Sequence, residues 1–192
     1  MYGLVNAAIK ELVCTRFGEA KWDEIRAHAG VDVEVFSRME QYPDAVTYRL
    51  VEAASKALGI PPDDVMDAFG EFWVLYTGKE GYGHLFDIAG RSLREFLFNL
   101  DNLHTRIGQN FTHLRPPSFQ FDIIDDEVVR MHYLSDRQGL CPMVIGLLRG
   151  LSLHFRTTVA IEHAACARLG ADHCEFLLRI TEPGGTDPPA QP

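Results

Sequence analysis

The chain contains no block of lysine and arginine, and its 192 residues carry 18 basic against 27 acidic side chains, a formal net charge of −9. Without a basic stripe there is no electrostatic footprint for nucleic acid or an anionic membrane, and neither is expected as a partner. Long apolar runs are missing too. Those present are too short and too interrupted to cross a bilayer, and the opening Met-Tyr-Gly-Leu-Val-Asn has no basic region ahead of a small-residue cleavage site. The chain therefore reads as cytoplasmic. Its four cysteines, Cys14, Cys141, Cys166 and Cys174, are too sparse for a disulfide framework, so in a reducing compartment they are thiols or metal ligands. A Gly-rich phosphate loop, a nucleophile beside a base, and paired carboxylates in a credible setting are all lacking, which argues against an enzyme. No internal repeat is visible.

What remains is ordinary globular material. With 46% hydrophobic and 23% charged residues, a chain of this length buries roughly 70% of its unfolded surface in one domain. Apolar spacing predicts a helical first half. Leu4, Ile9, Leu12 and Val13 share one helix, Trp22 to Ala29 form a second stopped by Gly30, and Ala45 to Leu58 a third stopped by Gly59. Pro61-Pro62-Asp63-Asp64 opens a fourth, carrying Val65, Phe69, Phe72 and Trp73 until Gly78, Gly81 and Gly83 break it. A fifth runs from about Ser92 to Asn110. After Pro116-Pro117 the period changes: Phe119, Phe121 and Ile123 alternate, Asp125-Asp126 turns the chain, and Val128 to Tyr133 returns as a strand. A helix from Gln138 to Phe155 follows, then strands over 159–165 and 174–180 around Leu-Gly-Ala-Asp, and a Pro/Gly-rich tail over 182–192 that is expected to be disordered. The fold class is α+β, a helical N-terminal part followed by a mixed helix and antiparallel-sheet part.

Two features carry chemistry. In Met-His-Tyr-Leu-Ser-Asp-Arg, Tyr133, Ser135 and Arg137 fall at alternate positions of the expected strand, so two hydroxyls and a guanidinium point the same way. Such a set suits a ligand with paired carboxylates, though alone it also fits a solvated edge strand. His104 lies on the apolar stripe of Leu93, Phe96, Leu97, Leu100 and Leu103. Alone it reads first as a core histidine bonded to a carbonyl.

Together, the histidine on an apolar helix, the Pro-Pro turn a dozen residues later and Tyr-x-Ser-x-Arg resemble the haem nitric oxide/oxygen binding family, H-NOX. The resemblance runs from Met1 to about Ile180 and is nearest to cyanobacterial members that look like the soluble guanylate cyclase sensor domain. It implies haem b sandwiched between the two parts of the chain, with His104 as proximal iron ligand. Tyr133, Ser135 and Arg137 would hold the propionates, and Pro117 would press on the porphyrin. The residues support this independently, since haem needs an apolar sandwich, a nitrogen for iron and donors at one edge. At the position matching the distal tyrosine of oxygen-binding members stands Pro142, and Trp73, Met143 and Ile9 are expected to make a mainly apolar lining. The resemblance thus implies a sensor of nitric oxide and CO that excludes oxygen. Its signal would pass, by release of His104 and movement of its helix, to a separate protein such as a histidine kinase or a cyclic-di-GMP enzyme.

The C-terminal thiols form a further candidate. His163-x-x-Cys166 and His173-Cys174 face each other across a hairpin, and Cys141, His163, Cys166 and Cys174 would suit tetrahedral zinc. Some H-NOX members carry a similar cluster, but Cys141 sits about one position off that pattern, a rotation of roughly 100° on a helix. Partly buried free thiols are the plainer account. Two other classes stay open: a haem-free zinc- or thiol-redox-responsive module of the four-vinyl-reductase type, and, less fitting, a globin-like oxygen store or haem enzyme.

Overall fold

The computed structural model describes residues 1–77, 83–109 and 113–181. The helices are α1 (Gly3–Phe17), α2 (Glu19–His28), α3 (Asp44–Leu58), α4 (Pro62–Thr77), α5 (Gly83–Ala89), α6 (Leu93–Phe98), α7 (Leu100–Gly108) and α8 (Cys141–Phe155). The strands are β1 (Ser118–Ile123), β2 (Val128–Leu134), β3 (Thr158–Ala165) and β4 (Cys174–Thr181), joined as one antiparallel sheet in the order β1-β2-β4-β3. The α+β expectation is met. Among the described residues no helix is long and apolar enough to cross a membrane.

Local chemistry accounts for the boundaries. Gly59 ends α3 in the left-handed conformation, while Pro62 starts α4 where a missing N–H costs nothing and Asp63 and Asp64 sit favourably in the first turn. The β1–β2 turn is the expected one: the Asp125 carboxylate accepts from the N–H groups of Glu127 and Val128, and those bonds hold its pKa below the usual range. On β2 and β4 the pleat sends Val129, Met131, Tyr133, Cys174, Phe176, Leu178 and Ile180 inward. A buried hydrogen bond from the Thr47 hydroxyl to Asn6 Oδ1, 2.7 Å long, ties α3 to α1.

Three expectations change. The single helix from Ser92 to Asn110 is two helices interrupted at Asn99, whose amide donates to the Ala89 carbonyl at 2.9 Å and so diverts that position to the preceding segment. Gly83 does not break a helix; it begins α5. Strand β2 stops at Leu134, leaving Ser135 and Arg137 in the following loop, where Ser135 Oγ accepts from the Arg137 N–H at 3.1 Å. The breaks foreseen at Gly78 and Gly81, the helix end at Asn110 and the tail over 182–192 lie outside the described residues.

The closest crossing is between α4 and α8, and it depends on glycine. A Cβ on Gly70 would strike the Met143 carbonyl oxygen, and one on Gly146 the Asp67 carbonyl oxygen. This approach places Trp73 of α4 and Met143 of α8 on one wall. Gly146→Ala should therefore push the helices apart and destabilise the fold by about 1–3 kcal/mol, read as a fall in Tm of about 2–4 °C per kcal/mol; an unchanged melt would show that the crossing yields freely.

Candidate functional site

Between the helices and the inner face of the sheet lies a cavity of about 1010 Å³. Leu4 and Val5 of α1, Trp73 and Val74 of α4, Met143 and Leu147 of α8, Leu97, Leu100 and Leu103 of α6 and α7, and Phe119 and Met131 of the sheet give it an apolar lining. Polar residues are spread along the lining, Gln41, Thr77, His84, Arg106 and Arg115 among them, and two sets bear on the chemistry. His104 and Pro117 line it, and Tyr133, Ser135 and Arg137 line it as well, so the two sequence features that carry chemistry share one chamber.

His104 is half-buried on α7, and its Nδ1 is sealed from solvent without a hydrogen bond of full geometry among the described residues. Burial pushes its pKa below the ordinary imidazole range, opposed by the Asp101 charge and the nearby Pro117 carbonyl. A ring in that setting is neutral near pH 7 and keeps a lone pair for a ligand. Asp101 also fastens α7 to the sheet: its carboxylate accepts from the Ser118 hydroxyl at 2.7 Å and the Phe119 N–H at 2.9 Å. From His104 a file of rings leads across Phe119 at 6.0 Å to Tyr133 a further 5.5 Å on.

Arg137 is held from behind. Its Nε donates to Asp44 Oδ2 at 2.7 Å and one Nη to the Arg115 carbonyl at 2.7 Å, while Nη2 has no hydrogen bond among the described residues. Burial would raise the Asp44 pKa, but hydrogen bonds from the N-terminal ammonium and Arg137 outweigh it and hold the carboxyl below the usual range. The Tyr133 phenol is pushed up by burial, partly offset by its bond with Ser135. The loop that leads to Pro116-Pro117 is pinned where the Gln41 amide donates to the His113 carbonyl and the His113 N–H donates to the Tyr2 hydroxyl.

One expected lining residue is elsewhere, and the position matching the distal tyrosine does not line the cavity. Ile9 is 3% exposed but packs in the core one turn beyond Val5 along α1, and Leu4 and Val5 face the cavity instead. Pro142 is buried in the first turn of α8 and is likewise not a lining residue; its neighbour Met143 is. Two residues went unnoticed in the sequence. His84 lines the cavity from α5, a helix hidden among glycines, and Asp101 is an anchor that no helical pattern distinguishes from a solvated carboxylate.

The thiol cluster also forms. Ligand atoms of Cys141, His163, Cys166 and Cys174 all lie within 4.8 Å of one another, with Cys141 Sγ 3.9 Å from Cys166 Sγ. The sequence offset of Cys141 does not exclude it, because it is the first residue of α8 and projects from the helix end. Burial, helped by Cys174, pushes the Cys141 thiol up to about 12. At Cys166 burial is outweighed by hydrogen bonds from the Arg168 backbone and side chain, and the thiol is lowered. His163 stacks on Phe176 at 4.5 Å with its Nε2 buried and unpaired among the described residues. All four cysteines are free of disulfides.

Comparison with known proteins agrees with this architecture. A family model described as Haem-NO-binding matches residues 2–163. Two soluble guanylate cyclases of Caenorhabditis elegans are similar: gcy-31, 30% identical over 163 residues covering 84% of this chain and 23% of that protein, and gcy-32, 31% identical over 152 residues covering 78% and 22%. The chain thus spans less than a quarter of the length of these curated relatives. An H-NOX protein from Shewanella oneidensis, solved in the Fe(II)NO ligation state, shares the fold with a TM-score of 0.86 at 21% identity, over 95% of this chain and 100% of that one. An unliganded Fe(II) H-NOX protein from K. algicida gives 0.83 at 18% identity, over 97% and 100%. The fold shared with these proteins and a family match spanning most of the chain place it in the haem-NO-binding family: the chain is an H-NOX domain.

Proposed function

We propose that this chain is a haem-based sensor that binds nitric oxide and CO at ferrous haem b, excludes oxygen, and signals to a separate effector protein. The observation that carries the reading is the chamber itself: an apolar cavity of about 1010 Å³ holding a neutral imidazole with a sealed Nδ1 and, in the same lining, a guanidinium flanked by two hydroxyls. When bound, haem supplies an iron that takes a diatomic gas and a flat macrocycle with two carboxylates. His104 would ligate the iron. Tyr133, Ser135 and Arg137 would hold the carboxylates, with Asp44 and the Arg115 carbonyl orienting the guanidinium. Pro117 would press on the macrocycle.

Gas selectivity would come from the α4–α8 wall, where Trp73, Val74, Met143 and Leu147 are predominantly apolar. Thr77 lies on that wall too, but its hydroxyl is engaged by the Trp73 carbonyl at 2.8 Å, so exclusion of oxygen requires that the Trp73 indole N–H not reach the bound gas. The output would run through α7. Any change in the hold on His104 loads a helix fastened to the sheet by Asp101 and to α5 by Asn99, and an effector that prefers one α7 position would read the difference. A histidine kinase or a cyclic-di-GMP enzyme fits this role. The Cys141, His163, Cys166, Cys174 cluster would hold zinc as a structural site, supported by the convergence of three sulfurs and one nitrogen.

Three outcomes test the proposal. The purified chain should show a strong Soret band that collapses in His104→Gly and returns with added imidazole; a colourless protein that takes up no haem would leave the zinc- or thiol-responsive alternative. Arg137→Ala should raise the haem dissociation rate by about 10–150-fold, the loss of one charged hydrogen bond of roughly 1.5–3 kcal/mol, and an unchanged rate would remove the clamp. The ferrous protein in air should form no lasting oxygen complex, and a stable one would refute the gas assignment.

A further inference from the structure

The outer face of the sheet carries a second convergence of ligand atoms, separate from the cavity and from the thiols. We infer that His132, His173 and Glu175 form a binding site for a divalent first-row transition cation, zinc foremost, with Asp122 positioning one of the imidazoles. His132 Nδ1 lies 2.8 Å from His173 Nε2 and 3.7 Å from Glu175 Oε1, and His173 Nε2 lies 3.6 Å from the same oxygen. A tetrahedral site with bonds of about 2.0–2.1 Å has donor atoms about 3.4 Å apart. The three separations bracket that value, so a cation fits among them after side-chain shifts of a few tenths of an ångström.

The backbone dictates this placement. His132 on β2 stands directly opposite Glu175 on β4, and outward positions alternate with Met131, Tyr133, Cys174 and Phe176, which face the core. His173 enters from the turn just before β4. Asp122, on β1 diagonal to His132, brings Oδ2 to 3.1 Å from His132 Nε2. That contact fixes the tautomer: with its proton on Nε2 and donated to Asp122, His132 presents a bare Nδ1, the carboxylate–histidine arrangement that orients metal ligands. Glu175 is divided in the same sense. Its Oε2 faces Arg130 Nε at 3.7 Å while Oε1 faces the imidazoles.

A hydrogen bond between two imidazoles accounts for the 2.8 Å contact alone. Glu175 Oε1, 3.7 and 3.6 Å from the two ring nitrogens, is beyond hydrogen-bond length from both and stands beside them as a third donor atom. For the cation to enter, His173 presents the lone pair of Nε2, so that both facing nitrogens are donors to it. Two carboxylates against one guanidinium leave the cluster with one net negative charge, which favours a cation there. The ligands are 19%, 30% and 29% exposed, shielded enough to hold a cation and open enough to admit it and a water as fourth ligand. Two imidazoles and one carboxylate favour zinc, copper or nickel over magnesium or calcium. Bound there, the cation would fasten β2, which carries Tyr133, to the turn that leads into Cys174.

The test counts zinc in the haem-loaded full chain after chelator treatment and equilibrium dialysis against micromolar Zn(II). Wild-type protein should retain one equivalent more than His173→Ala or Glu175→Gln, both surface changes whose folding is checked by the Soret band and the thermal melt. Asp122→Asn should weaken that equivalent by about 10–100-fold without abolishing it. Cys141→Ser should leave it in place, which separates this site from the thiol cluster, just as haem content reads the proposed function independently. Equal zinc in wild type and His173→Ala, or loss of all excess zinc in Cys141→Ser, overturns the inference.

Discussion

A domain of this size that encloses about 1010 Å³ among apolar side chains faces a packing constraint that governs the rest of its architecture. Left to solvent, the apolar walls forgo roughly 25 cal/mol for each Å² that a guest could cover, a sizeable loss in domains stable by roughly 5–15 kcal/mol. The cavity therefore suits a large, mostly apolar guest. Among the lining residues, His104 with Pro117 and Tyr133 with Ser135 and Arg137 are the two sets that suit such a guest, beside other polar residues such as Thr77 and His84.

Rigid and yielding parts of the wall are built differently. The α4–α8 side is fixed by backbone contact at Gly70 and Gly146, which leaves no play between the helices. The proposed clamp rests on Asp44, the first residue of α3, which also pairs with the Met1 ammonium ahead of α1. By contrast α7 is nine residues long, is separated from α6 at Asn99, and is attached by a few hydrogen bonds from Asp101 and Asn99. The proposed signal from His104 would meet least resistance along α7. The outer face of the sheet adds a separate layer, where the His132–His173–Glu175 group would brace β2 against β4 without touching the cavity.

The helices and strands were legible because their signals are local. Gly59, Pro62, the Asp125 turn and the alternation around Met131 each fix a boundary through one residue's stereochemistry. His104, Pro117, Tyr133 and Arg137 were legible as a set because their order and spacing match a family pattern, and the fold does bring them to one chamber. What escaped depends on tertiary partners. Asp101 and Asp44 are unremarkable acids until Ser118 and Arg137 are seen against them. Ile9 shares its helix face with Val5, and only the depth of packing decides which one meets the cavity. Asn99 interrupts a helix because of a carbonyl ten residues earlier, and α5 lay hidden in a glycine-rich stretch.

The proposed signal requires that α7 move while the clamp stays. Amide hydrogen exchange of the haem-loaded ferrous protein, with and without nitric oxide, tests it directly. Protection should fall across residues 100–108 while β2 and the loop holding Ser135 and Arg137 keep theirs. Unchanged exchange in α7, or an equal loss of protection in α7 and the clamp, would contradict the account.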